Sequence, residues 1–123
     1  MLLAFASETV RQTALSRRLT SPDGTRVLRV EDFRAELETI RRDGYAISIE
    51  ERVPGVVAIA VPARDHTGEV TTALSISIPA VRAGREELLA LSPLALQAAR
   101  TLSARLGYGL GPLQSEDRDV VRP

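Results

Sequence analysis

Between residues 45 and 79 three strand-like stretches follow one another with only tight turns between them. Tyr45–Glu51 alternates apolar and polar residues, Val56–Arg64 is rich in Val and Ile, and Glu69–Ile78 alternates again before Pro79 stops it. Pro54-Gly55 separates the first two, and Asp65-His66-Thr67-Gly68 separates the second from the third, with Gly68 suited to positive φ. Parallel pairing needs a crossover of about a dozen residues or more, and neither gap is long enough. The spacing therefore predicts an antiparallel β-meander.

Helical patterns flank it. Residues 1 to about 19 read as helical, with a break at Ser7, where Ser7-Glu8 supplies an N-cap and a first-turn acid. Thr20-Ser21-Pro22-Asp23-Gly24 carries loop chemistry. Glu31–Asp43 is the clearest helix. Phe33, Leu37 and Ile40 make one stripe, acids open it, Arg41 and Arg42 close it, and Gly44 ends it. A last helical region spans Arg85–Leu106, with Ala95, Ala99, Leu102 and Leu106 as its stripe and Gly107 as its stop. Ser92-Pro93 either starts a separate helix there or kinks a single long one. The order is α-α-β-β-β-α, an α+β fold with helices packed on the meander. One domain over residues 1–108 is expected, followed by a polar, frayed tail over 109–123.

Composition narrows the function. Sixteen basic and sixteen acidic residues balance, so no long-range attraction to a phosphate backbone follows. There is no Cys, and His66 is the only His, which removes disulfides, thiolate sites and any site needing two imidazoles. No metal site and no cofactor is expected. The apolar start Met1–Ala6 is too short for a membrane span and lacks a signal peptide's basic flank, so a cytoplasmic protein is expected. Glu50-Glu51 does not read as an acid/base pair, because adjacent strand residues face opposite ways. Asp65-His66 in a turn is poorly placed to reach Ser75 as a triad. The chain does not read as an enzyme. Arg17-Arg18 and Arg41-Arg42 read as charges at helix C-termini rather than DNA contacts.

The most informative pattern lies on the third strand. Leu74, Ile76 and Ile78 face one way, and Ala73, Ser75 and Ser77 the other. The second set is small and hydroxylated, either an ordinary solvent face or the floor of a space with donors and acceptors. On the second strand Val56, Ala58 and Ala60 are the smaller set. If Arg64 pairs with Glu69, Ala58 lies opposite Ser75 and Val56 opposite Ser77, and the small residues share a face. A bulge at Gly68 would shift the pairing by one and scatter them.

The ordered set Glu36-Leu37-Glu38-Thr39-Ile40-Arg41-Arg42-Asp43-Gly44-Tyr45-Ala46, Glu50-Glu51, the run from Pro54-Gly55-Val56 to Arg64-Asp65, and Ala73-Leu74-Ser75-Ile76-Ser77-Ile78-Pro79 with Arg82 after it resembles the IclR family of bacterial transcription regulators. The likeness covers about Ala4 to Gly107. It implies a GAF-like effector-binding domain that takes a small metabolite, carboxylate-bearing or aromatic, and forms a homo-oligomer. By position, the ligand-lining places fall on Ser48, Val56, Ala58, Ser75 and Ser77. Ser48 stands where many members carry an acid, so ligand identity does not transfer. Met1–Phe5 resembles the middle of a family helix, so the winged helix and part of the effector domain are expected to be missing. This chain by itself is then expected not to bind DNA.

Overall fold

The computed structural model describes residues 1–21 and 24–109; the expectation of a frayed tail falls, apart from Gly109, outside them. Seven elements follow in order: α1 (Leu2–Phe5), α2 (Glu8–Leu15), α3 (Val30–Asp43), β1 (Ala46–Ile49), β2 (Val56–Arg64), β3 (Val70–Pro79) and α4 (Arg85–Arg105). The break at Ser7 is real, and its hydroxyl accepts from the Val10 N–H at the start of α2. Of the expected loop over 20–24, residues 22 and 23 lie outside the described residues. Thr20 bridges Val27, and Leu28 N–H donates to the Leu19 carbonyl, so a small ladder joins α2 to α3. Arg17 and Arg18 lie beyond the end of α2 rather than in its last turn.

α3 ends as its residues dictate. Gly44 sits at φ 79° and its N–H donates to the Ile40 carbonyl. β1 is shorter than its pattern predicts. The alternation runs on to Glu51, but Glu50 takes φ 52° and its carboxylate accepts from the Gly55 N–H, so the chain leaves the sheet there. Glu50 and Glu51 therefore belong to the turn.

The sheet is a three-stranded antiparallel meander in the order β1-β2-β3. Its register differs from the simplest hairpin closure. Ala58 pairs with Ser77 and Ala60 with Ser75, while Val56 lies opposite Pro79. The irregularity falls at Ala63/Arg64, and Arg64 pairs with Val70 instead of Glu69. Relative to the expected pairing the strands have slid by two residues. A slide of two restores the side-chain faces that a slide of one would exchange. The small residues of β2 and β3 thus share a face, against different partners.

The opposite face carries the main core. Val57, Ile59, Val61 and Ala63 are buried on β2, with Leu74, Ile76 and Ile78 beside them on β3. α4 covers this face through Leu88, Ala95 and Ala99. Its buried stripe continues to Ser103 rather than to Leu102 and Leu106, and Leu106 is exposed. Alanines at 95 and 99 let the helix axis approach the sheet, and Ser103 completes the seam with a polar link. Its hydroxyl donates to the Ala99 carbonyl (2.7 Å) and accepts from the Arg64 N–H (2.9 Å).

Ser92-Pro93 starts no new helix, because α4 runs through it. Proline at 93 has no N–H for the Leu89 carbonyl, and the Ser92 hydroxyl donates to that oxygen instead (2.7 Å). At the N-terminus of α4 the Glu87 carboxylate accepts from the Gly84 N–H (2.7 Å), which holds its pKa below the usual carboxylate value. A second core, of Ala4, Leu15, Leu37 and Ile40, lies among α1, α2 and α3 and packs on Ala46.

Candidate functional site

The small-residue face is built in rows across the sheet. Ser48, Ala58 and Ser77 are successive cross-strand partners, and so are Ala46, Ala60 and Ser75. None of these side chains rises far from the backbone, and α1 and α3 do not close down onto them. A cleft of about 320 Å³ remains between them. Its floor holds Ser48, Ala58, Ala60 and Ser75, and its walls hold Leu3, Phe33, Glu36, Leu37 and Ile40, with Glu51 from the β1–β2 turn. The size lies within the range of small-molecule sites.

Three of the five expected positions, Ser48, Ala58 and Ser75, line this cleft. Val56 and Ser77 point to the same face but do not line it: Val56 lies opposite Pro79, and Ser77 lies on β3 in the row of Ser48 and Ala58. Ser48 and Ala58 are half-buried, whereas Ser75 and Ser77 are exposed. The cleft is therefore open along β3. Among the described residues the hydroxyls of Ser48, Ser75 and Ser77 have no hydrogen-bond partner within the chain.

Sequence reasoning missed the walls. Phe33, Leu37 and Ile40 were legible as a helix stripe, but a stripe does not say whether it meets other side chains or a gap. Glu36 and Glu51 carry no local motif and meet only because α3 lies beside the β1–β2 turn. Partial burial, and then the nearby Glu36 carboxylate, push the Glu51 pKa above its usual value.

Other concavities are built differently. The groove along Thr9, Val10, Thr13, Arg17 and Leu19 is larger, about 570 Å³, but one stretch of chain forms it all, so no groups from separate elements converge there. Among the described residues no cluster of three or more His, Cys, Asp or Glu is placed to hold a metal ion, and no helix is long and apolar enough to cross a membrane.

The fold, a three-stranded meander with α4 on one face and α1 and α3 on the other, is that of the effector domains of bacterial transcription regulators. Thermotoga maritima IclR superposes with a TM-score of 0.76 at 30% identity, over 87% of this chain and 44% of that one. The inducer-binding domain of PobR from Acinetobacter, a double mutant in complex with 3-hydroxybenzoic acid, gives 0.69 at 27% identity over 83% of this chain and 59% of that one. The family model for the bacterial transcriptional regulator IclR C-terminal domain matches residues 1–104, and the chain belongs to that family. The HTH-type transcriptional regulator BhcR of Paracoccus denitrificans is 40% identical over 77 residues, which are 63% of this chain and 26% of BhcR. The match thus spans about a quarter of the length of that relative.

Proposed function

We propose that this domain senses a small-molecule effector in the cleft between the small-residue face of the sheet and helices α1 and α3, and passes its occupancy on through a homo-oligomer to transcription control. The observation that carries the reading is the convergence of Ser48 and Ser75, unpartnered hydroxyls from two strands, on one cleft with apolar walls from α3. A ligand seated there touches α3 and the sheet together, and shifts the equilibrium between their arrangements by its difference in affinity for them. The complex of PobR with an aromatic acid supports a site of this kind in a domain of this fold. Control of DNA occupancy belongs to the whole regulator. In that assembly two such domains would set the spacing of two DNA-reading heads.

Oligomerisation is supported by the sheet. β1 and β3 are its edge strands, and an edge strand offers backbone groups to a partner. A dimer by light scattering at micromolar concentration is expected; a monomer would remove this part of the reading.

The test of sensing is a thermal-shift screen with a broad panel of small aromatic and short-chain acids, alcohols and amines. Binding raises the midpoint by mass action. Ser48→Ala with Ser75→Ala should remove the shift and leave the unliganded midpoint near its original value. A panel without a hit, or a shift indifferent to both serines, would defeat sensing at this cleft. The exposure of Ser75 and Ser77 favours a second reading in that event, an interaction module whose open sheet face meets protein rather than ligand.

A further inference from the structure

The charge of the cleft names a ligand class, an inference that rests on the sensing role proposed above. Two carboxylates line the cleft, Glu36 from α3 and Glu51 from the β1–β2 turn, and no Arg, Lys or His side chain does. Neither carboxylate has an ion-pair partner among the described residues, where the pairs are Arg11 with Glu8 and Glu38, Arg29 with Asp32, and Arg42 with Asp43. Met1 also borders the cleft; among the described residues, partial burial and then the Glu36 charge raise the Glu51 pKa. Both carboxylates are exposed, and the lining offers no side-chain cation to offset them. The rest of the lining is apolar or hydroxylic, with Phe33, Leu37 and Ile40 facing the two serines.

We propose that the effector is a small organic amine, protonated at neutral pH, whose ammonium lies at Glu36 and Glu51 and whose apolar body lies along α3. A free carboxylate in the same place would meet two like charges with no guanidinium to offset them. An ammonium has three donors, and the two carboxylates and the Ser48 and Ser75 oxygens are all acceptors. The raised pKa of Glu51, set by partial burial and then by Glu36, fits a carboxylate that would gain from a cation.

A matched series isolates the charge. 2-Phenylethylamine, 2-phenylethanol and phenylacetate share a skeleton and carry positive, zero and negative charge. Their affinities are measured by calorimetry on the full chain at neutral pH and low salt, for the wild type, Glu51→Gln and Ser75→Ala. The amine should bind more tightly than phenylacetate by roughly tenfold, a modest factor because the carboxylates are partly in water. Glu51→Gln should narrow that gap, and Ser75→Ala should weaken whichever members bind. Phenylacetate binding as tightly as the amine, or a gap unchanged in Glu51→Gln, overturns the assignment. If phenylacetate binds and Ser75→Ala weakens it, the amine assignment falls while sensing at this cleft stands. If none of the three binds, the amine assignment falls, and the wider screen decides sensing separately. Glu51 is exposed in a turn, so the glutamine variant should fold, and an unchanged circular dichroism spectrum verifies it.

Discussion

Replacing Ser103 with alanine removes one oxygen from the seam between α4 and β2, and the structure sets what that should cost. The hydroxyl accepts from the Arg64 N–H at 2.9 Å and donates to the Ala99 carbonyl at 2.7 Å. Ala99 loses a supplementary bond, but Arg64 loses the partner of a backbone donor. A buried donor left unpaired costs about 1–3 kcal/mol. Two effects reduce this. A cleft bordered by Arg64, Arg100, Ser103 and Tyr108 lets water approach, so the lower half of the range applies. Alanine is also the better helix former, by about 0.5 kcal/mol. A net loss of about 1 kcal/mol is expected, which for a domain of this size lowers Tm by about 4–6 °C. Urea unfolding followed by circular dichroism measures it, with Ser103→Thr as the control that keeps a hydroxyl. The reasoning fails if Ser103→Ala unfolds at the wild-type midpoint, or if Ser103→Thr is the more damaging of the two.

The same kind of substitution by a side chain operates at Ser92. Ser92→Ala should destabilise by about 0.5–1.5 kcal/mol in the native background and by almost nothing once Pro93→Ala restores the N–H for Leu89, a coupling that a double-mutant cycle in urea reads directly. Gly107 holds φ 90°, and a Cβ there would come within 3.0 Å of the His66 Cβ; Gly107→Ala should lose at least about 1 kcal/mol, and a scan showing no loss of Tm would contradict the packing of α4's end on the hairpin turn. The Thr67 hydroxyl, and then its N–H, hold the Asp65 carboxyl below the usual carboxylate pKa. A depressed folded-state pKa contributes stability that is present above the ordinary carboxylate range and is lost as pH falls through the lowered value. Asp65→Asn should therefore flatten part of the acid limb of stability against pH, and an unchanged limb would remove Asp65 from that role.

Which side chains face one another within a strand could be read locally, because alternation is a property of a single strand. Leu74, Ile76 and Ile78 fall on the α4 side and Ser75 and Ser77 on the other, as the period of two requires. The start of α2 at Ser7 and the end of α3 at Gly44 were legible for the same reason, since each is set by residues within one turn of helix. The antiparallel meander was equally accessible, because two short turns leave consecutive strands no other arrangement.

Whatever depends on two distant segments was settled only by packing. The irregularity at Ala63/Arg64 set Ser77 opposite Ala58 and Ser75 opposite Ala60, since a register is a relation between strands and turn chemistry left more than one choice open. The early exit of β1 at Glu50 depends on a bond to Gly55 across the turn, which outweighs an alternation that would otherwise continue. Ser103 belongs to the core because Arg64, 39 residues away, needs an acceptor there. The approach of Glu36 to Glu51 follows from α3 lying beside the β1–β2 turn. Periodicity along a chain decides which face a residue occupies; only the fold decides what meets it across the gap.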